Sequence, residues 1–200
     1  MFKLIQFCAL LPLIWLAAPA QAAFSPLEVA IISPVQFPAE DYTITGARLS
    51  LVLGKQRVVY GVDIGVLGNI TELEFVGIGI SGLFNLTEGT TTAVGAQLAG
   101  LANINTNHTR IFGLQATLGV NYNAAEAVVY GLQIAPLANI SPFTKICGVQ
   151  AGIYNRANDV YGFQIGIVNV AKSLHGVQVG LLNFNQTGLF YVAPVINVGF

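Results

Sequence analysis

One short phrase recurs down this chain: Gly, any residue, Gln, any residue, Gly, then Asn two or three residues later. It stands cleanly as GVQAGIYN (Gly148 to Asn155), GFQIGIVN (Gly162 to Asn169) and GVQVGLLN (Gly176 to Asn183). Looser copies begin at Gly61, Gly77, Gly95, Gly113 and Gly131. The closing Asn falls at 69, 85, 103, 121, 139, 155, 169 and 183, and Asn197 keeps the beat, in steps of 16, 18, 18, 18, 16, 14, 14 and 14 residues. Fixed-period self-similarity means that one structural unit is reused. It constrains architecture and says nothing of chemistry.

Numbered from the first Gly of each copy, positions −1, +1 and +3 are apolar almost throughout. Tyr60, Val62 and Ile64 stand there in one copy, and Tyr130, Leu132 and Ile134 in another. The intervening positions carry Gly at 0, mostly Gln at +2, and Gly, Ala, Ser or Thr at +4. Alternation with period two and β-branched and aromatic enrichment is the strand signature. A helix would lose about 1 kcal/mol at each interior Gly. The Asn-led segments between these runs (residues 69–71, 85–92, 103–109, 121–123, 139–142, 155–159, 169–173 and 183–188) read as turns, because Asn and Gly tolerate positive φ. Residues 41–200 then parse into one repeat-built β domain of ten strand-plus-turn units. Residues 23–40, with Pro26, Pro34 and Pro38, read as an irregular lead-in.

Residues 1–22 read as a signal peptide: Lys3, the apolar run Leu4 to Leu16, and an A-x-A cleavage site at Ala20-Gln21-Ala22. Cys8 falls within it. Cys147 is then left alone, so no disulfide within the exported chain is expected. Only 8% of residues are charged, against about 25% in ordinary soluble domains. Beyond the signal no apolar run approaches the roughly 18 residues of a membrane helix. Such a chain either buries itself thoroughly or crosses a membrane as strands. A net charge of −1 without a basic cluster argues against a nucleic-acid partner.

Two architectures fit an all-β chain of this pattern. The first is an antiparallel outer-membrane-type β-barrel of about ten strands, with both termini periplasmic. Its apolar face would meet outer-membrane lipid. Its interior row would be Arg48, Asp63, Gln97, Gln115, Gln133, Gln150, Gln164 and Gln178, with Arg48 and Asp63 facing each other on neighbouring strands. No Lys, Arg, Asp or Glu occupies −1, +1 or +3 of any copy, as lipid exposure would require. Val192, Ile196, Val198 and the terminal Phe200 resemble the C-terminal signal that barrel-assembly machinery reads. The alternative is a parallel β-solenoid of 14–18-residue repeats, in which identical residues stack as Asn and Gln ladders. G-x-Q-x-G is nearly palindromic about its Gln, so both neighbour directions align Gln with Gln.

GFQIGIVNVAKSLHGVQVGLLN (Gly162 to Asn183), ITGARLSLVLGKQRVVYGVDIGVLGN (Ile44 to Asn69) and PVINVGF (Pro194 to Phe200) resemble uncharacterised bacterial surface-repeat proteins with serial G-L-Q-x-G-L-x-N units. The match is looser in the middle, where Gly79 replaces Gln and Pro136 interrupts a unit. The resemblance implies an exported, envelope-associated bacterial protein. It supplies no activity and no functional residues.

The residues suggest no chemistry. His108 lies in an expected connection, and His175 and Cys147 occupy position −1; neither histidine has a partner at metal-ligand spacing. The carboxylates are scattered. Asn69, Asn85, Asn107, Asn139 and Asn185 open Asn-x-Ser/Thr triplets, but Asn and Thr are also turn residues. No catalytic residue, metal or cofactor is expected. The expected function is a non-enzymatic outer-membrane barrel of envelope structure or narrow-pore type, its ligand unknown. The alternative is a secreted or surface-exposed solenoid acting as a binding or adhesion module.

Overall fold

The computed structural model describes residues 23–200. The signal peptide expected over residues 1–22 lies outside them. Among the described residues the chain forms fourteen β-strands: β1 (Phe24–Ile32), β2 (Val35–Phe37), β3 (Thr43–Gly65), β4 (Gly68–Ser81), β5 (Phe84–Thr87), β6 (Thr90–Ala99), β7 (Ala102–Asn105), β8 (Thr109–Thr117), β9 (Val120–Asn123), β10 (Ala127–Ile134), β11 (Ala138–Ala151), β12 (Tyr154–Ile165), β13 (Val168–Asn185) and β14 (Val192–Gly199).

Each repeat pairs with the next in parallel and in phase. Gly113 lies beside Gly131, Gly131 beside Gly148, and Gly148 beside Gly162. The result is a parallel β-solenoid of about nine turns. Each coil has two walls. The glutamine wall holds the G-x-Q-x-G strands: the second half of β3, the end of β4, then β6, β8, β10 and the later parts of β11, β12 and β13. The asparagine wall stacks residues 68–71 of β4 on β5, β7, β9 and the first residues of β11, β12 and β13.

The expected ten-stranded antiparallel barrel is therefore corrected. An outer-membrane-type barrel needs antiparallel neighbours and a closed sheet. Here successive coils pair in parallel, and β1 and β14 do not pair with each other. The physical reason lies in the Asn. G-x-Q-x-G aligns in either direction, but each Asn follows its Gln by five or six residues, so only parallel stacking brings Asn onto Asn. The segments expected as turns are corrected with it. Most of each Asn-led stretch belongs to the second wall: Asn85 in β5, Asn103 in β7, Asn121 in β9.

The lead-in is also ordered, contrary to expectation. β1 pairs in parallel with the first half of β3, and β2 folds back antiparallel on β1. Two of the prolines punctuate this cap: Pro34 sits in the turn between β1 and β2, and Pro38 follows β2. At the far end β14 pairs antiparallel with β13. Both ends of the parallel stack are thus covered by a strand out of the repeat, which shields edges that would otherwise template further pairing.

Glycine at position 0 makes the close stacking possible. Gly61, Gly77, Gly95, Gly113, Gly131, Gly148, Gly162 and Gly176 all have φ between 99° and 151°, a range that L side chains rarely adopt. A Cβ on Gly131 would fall on the carbonyl of Gly113 in the coil before.

Candidate binding surface

The interior of the solenoid is a set of columns along its axis. One column, at position +2, runs Glu28, Arg48, Asp63, Gly79, Gln97, Gln115, Gln133, Gln150, Gln164, Gln178 and Asn197 by strand register and stacking. All eight residues expected as an interior row, Arg48, Asp63 and the six glutamines, are buried here. They fill a solid core and line no channel. Each glutamine donates its amide to the one before it: Gln115 to Gln97 at 2.8 Å, Gln133 to Gln115 at 2.7 Å, Gln164 to Gln150 at 2.6 Å. The narrow-pore expectation is corrected by this packing.

A second column holds the asparagines, and its hydrogen bonds run the other way. Asn103 donates to Asn121, Asn121 to Asn139 and Asn139 to Asn155, each at 2.9 Å. The same amide groups hold the glutamine wall where it turns: Asn103 donates to the Ala116 carbonyl, Asn121 to Ile134 and Asn139 to Ala151. These carbonyls accept, so the amide orientation is fixed, and from Asn69 to Asn169 each asparagine of the column donates to the next one toward the C-terminal end. A third column, at −2, is apolar: Val59, Phe75, Ala93, Ile111, Val129, Ile146, Val160 and Leu174.

At the N-terminal end the amides give way to charge. Arg48 Nε donates to Asp63 at 2.7 Å, and Nη1 to the Ile70 carbonyl at 2.9 Å. The two residues belong to successive coils of the single long strand β3, not to separate neighbouring strands. Burial works against the Arg48 charge, but Asp63 outweighs it through attraction and hydrogen bonding, with Glu28 adding to the attraction; Arg48 is held above its ordinary value. Glu28 lies beside Arg48 in register. Both of its carboxyl oxygens are buried without a hydrogen-bond partner. Burial pushes its pKa up to about 7; Arg48 pulls it down in part, while Asp63 and Glu40 add to the rise. Sequence reading missed Glu28, since it lies in a segment without the repeat motif.

The outer surface is as regular as the interior and opposite in character. Outward from the glutamine wall, position −3 carries polar or charged residues in most coils, such as Glu74, Arg110, Lys145 and Asp159. On this wall's outer face most of the aromatics stand at position −1: Tyr60, Phe112, Tyr130 and Tyr161 are all exposed. Positions +1 and +3 are aliphatic apart from Phe163 at +1, and none of these side chains is buried. The corner that follows is aliphatic again, with Leu101 59% and Leu118 74% exposed. The opposite corner is mostly polar, with Glu72, Glu88, Asn107 and Glu126, broken by the exposed Leu73 and Phe143. Lys55 pairs there with Glu72 at 2.6 Å.

The −1 row stacks along the axis. Phe112 and Tyr130 lie 5.3 Å apart and nearly parallel, as do Tyr161 and His175 at 4.4 Å, and Lys145 sits 4.3 Å over the Tyr161 ring. Cys147 lies between Tyr130 and Tyr161 in this row. His108 is exposed at the polar corner, with Nε2 3.7 Å from a Glu126 carboxyl oxygen. Val192, Ile196, Val198 and Phe200, expected as a barrel-assembly signal, lie exposed on and just after the antiparallel cap β14. The barrel that motivated that reading is gone.

Among the described residues, no three of His, Cys, Asp and Glu cluster as metal ligands would. No helix of the described residues is long and apolar enough to cross a membrane. One cavity of about 10 Å³ lies inside, beside Gly79, between Asp63 and Gln97. It has room for about one water molecule.

The fold and this surface define a class: a capped parallel β-solenoid with amide ladders within and an apolar face without. Comparison with protein-family models, curated proteins and solved structures finds no match for this chain.

Proposed function

We propose that the chain is an exported, non-catalytic binding and adhesion module of the bacterial cell surface, built as a rigid solenoid whose outer apolar rows are its docking face. The observation that carries this is the exposure of those rows in every coil, on a molecule whose polar amides are turned inward. Contiguous exposed apolar patches beyond a few hundred Å² mark interaction sites in folded proteins. The signal peptide read from residues 1–22 and the resemblance to bacterial surface-repeat proteins support the location. Export and amide-laddered rigidity suit a surface module.

The test is adsorption of the labelled, purified protein to isolated cell envelopes. Wild-type protein binds, and Phe112→Asp with Leu132→Asp abolishes binding while the β-sheet circular-dichroism spectrum is kept. Unchanged binding by that folded variant contradicts the proposal.

A further inference from the structure

We infer that the partner of this face is one leaflet of a phospholipid membrane, into which the solenoid dips its aliphatic corner while its polar corner stays in water. The inference rests on the binding-module reading and names the occupant.

The first ground is the order of the rows. Going from the polar corner down the glutamine wall, the outward residues change from charged (Glu74, Arg110, Lys145) to aromatic (Phe112, Tyr130, Tyr161), then to almost wholly aliphatic at +1, +3 and the corner. Aromatics belong at the headgroup boundary, with charge above and aliphatic chains below. The asparagine wall is not graded in this way. Its outward residues nearer the polar corner are mostly aliphatic (Ile70, Leu86, Ile104, Ile140), with Tyr122 and Arg156 among them, and those nearer the aliphatic corner include Phe84 and Val120.

The second ground is depth. From Leu132 to Ile134 the strand advances two residues, about 7 Å at about 3.3 Å per residue, before the chain bends at Pro136 and Leu137. Half of a hydrocarbon core of about 30 Å is about 15 Å. The aliphatic part of each coil therefore fits within one leaflet and falls well short of two.

The third ground is shape. The apolar surface wraps an edge on three sides: the glutamine wall, the corner and the asparagine wall. A flat protein partner or a second copy covers one wall. Acyl chains cover all three.

The backbone can follow the side chains into that environment. Groups at this corner bond from coil to coil, Leu101 N to Leu83 O at 2.6 Å and Ile167 N to Ile153 O at 3.0 Å. The asparagine amides take carbonyls just before it. Hydrocarbon tolerates backbone only when such groups are paired within the protein.

The experiment is depth-resolved quenching of single tryptophans. Trp15 is the only tryptophan of the chain, so a Trp15→Phe background receives Leu101→Trp, Tyr130→Trp or Glu126→Trp. The probe is a vesicle of phosphatidylethanolamine and phosphatidylglycerol carrying brominated acyl chains. The protein is expected to float with vesicles, and quenching is expected to fall in the order 101, 130, 126, with a blue shift at 101 alone. Leu101→Lys is expected to lower partition at least about tenfold.

Equal quenching at the three sites, or no flotation, overturns the inference. So does a dimer in sedimentation that hides position 101 without lipid, which assigns the face to a second copy. Envelope adsorption separates the two levels. Binding to envelopes but not to vesicles removes the lipid and leaves the module; binding to neither removes both.

Discussion

The ring of Phe75 occupies the space left by the missing side chain of Gly79. A Cβ on Gly79 would meet Phe75 Cζ at 3.2 Å, and Phe75 is the bulkiest member of an apolar column otherwise built of Ala, Val, Ile and Leu. The one gap in the amide column is thus matched by the one aromatic in the apolar column. Gly79→Gln alone should destabilise by about 1–3 kcal/mol through overpacking. Phe75→Val combined with Gly79→Gln should recover most of that loss, because the new amide can bridge Asp63 and Gln97 across the small cavity. Urea denaturation of the two single variants and the double variant reads the coupling, expected to exceed about 0.5 kcal/mol. Additive effects would count against the compensation.

Glycines at position 0 should differ in their tolerance. Gly131→Ala meets both a positive φ and the Gly113 carbonyl. Gly95→Ala meets a positive φ, but its nearest neighbour is the Ile78 side chain at 3.4 Å, because a register shift between Gly77 and Gly79 moves the preceding coil aside. Gly95→Ala should cost about 1–2 kcal/mol of strain. Gly131→Ala should cost clearly more or prevent folding. Melting temperatures of the two variants decide this.

The asparagine column should tolerate no change of hydrogen-bonding sense. Asn121 donates to the Gln115 and Ile134 carbonyls and to Asn139. Asn121→Asp keeps the shape and removes those donors, so it should cost at least about 3 kcal/mol at pH 7. Part of that should return in acid, where the carboxyl is neutral. Denaturant melts at pH 7 and pH 4 report it.

The N-terminal cap should weaken as pH rises. Glu28 titrates at about 7 in the folded chain against an ordinary value of 4.5, so the folded state favours its protonated form. Its contribution is fully present below pH 4.5 and is lost as pH rises through 7. The charges facing it are Arg48, Asp63 and Glu40. Glu28→Gln should flatten this dependence and raise the melting temperature at pH 8. A wild-type melting temperature constant from pH 5 to pH 8 would contradict the assignment.

Much of this architecture shows in the chain before any coordinates. Period-two alternation puts Gln97 to Gln178 on one face and Tyr60, Val62 and Ile64 on the other, and the strands keep those faces. Neighbour direction does not show, because G-x-Q-x-G reads almost the same from either end. Scarce charge and a terminal Phe200 then favour a barrel, although an apolar outer face serves a solenoid equally well. The asparagines mislead for a related reason. A residue that turns commonly select is here a buried strand residue, satisfied by its neighbours above and below. Only its short offset after each Gln, five or six residues, signals the parallel stack. Glu28 carries no signal of either kind.

The parallel register itself can be measured with one pair of thiols. Cys147 lies beside Tyr161 in the next coil. Were the same two strands antiparallel about Gln150 and Gln164, Cys147 would lie beside Ile167 instead. In a Cys8→Ser background, a short bifunctional thiol reagent is applied to Tyr161→Cys and to Ile167→Cys, and the linked peptides are identified by mass spectrometry. The solenoid predicts a rapid intramolecular link from Cys147 to position 161 and none to position 167. A link to 167 without one to 161 would contradict the parallel stack and everything built on it.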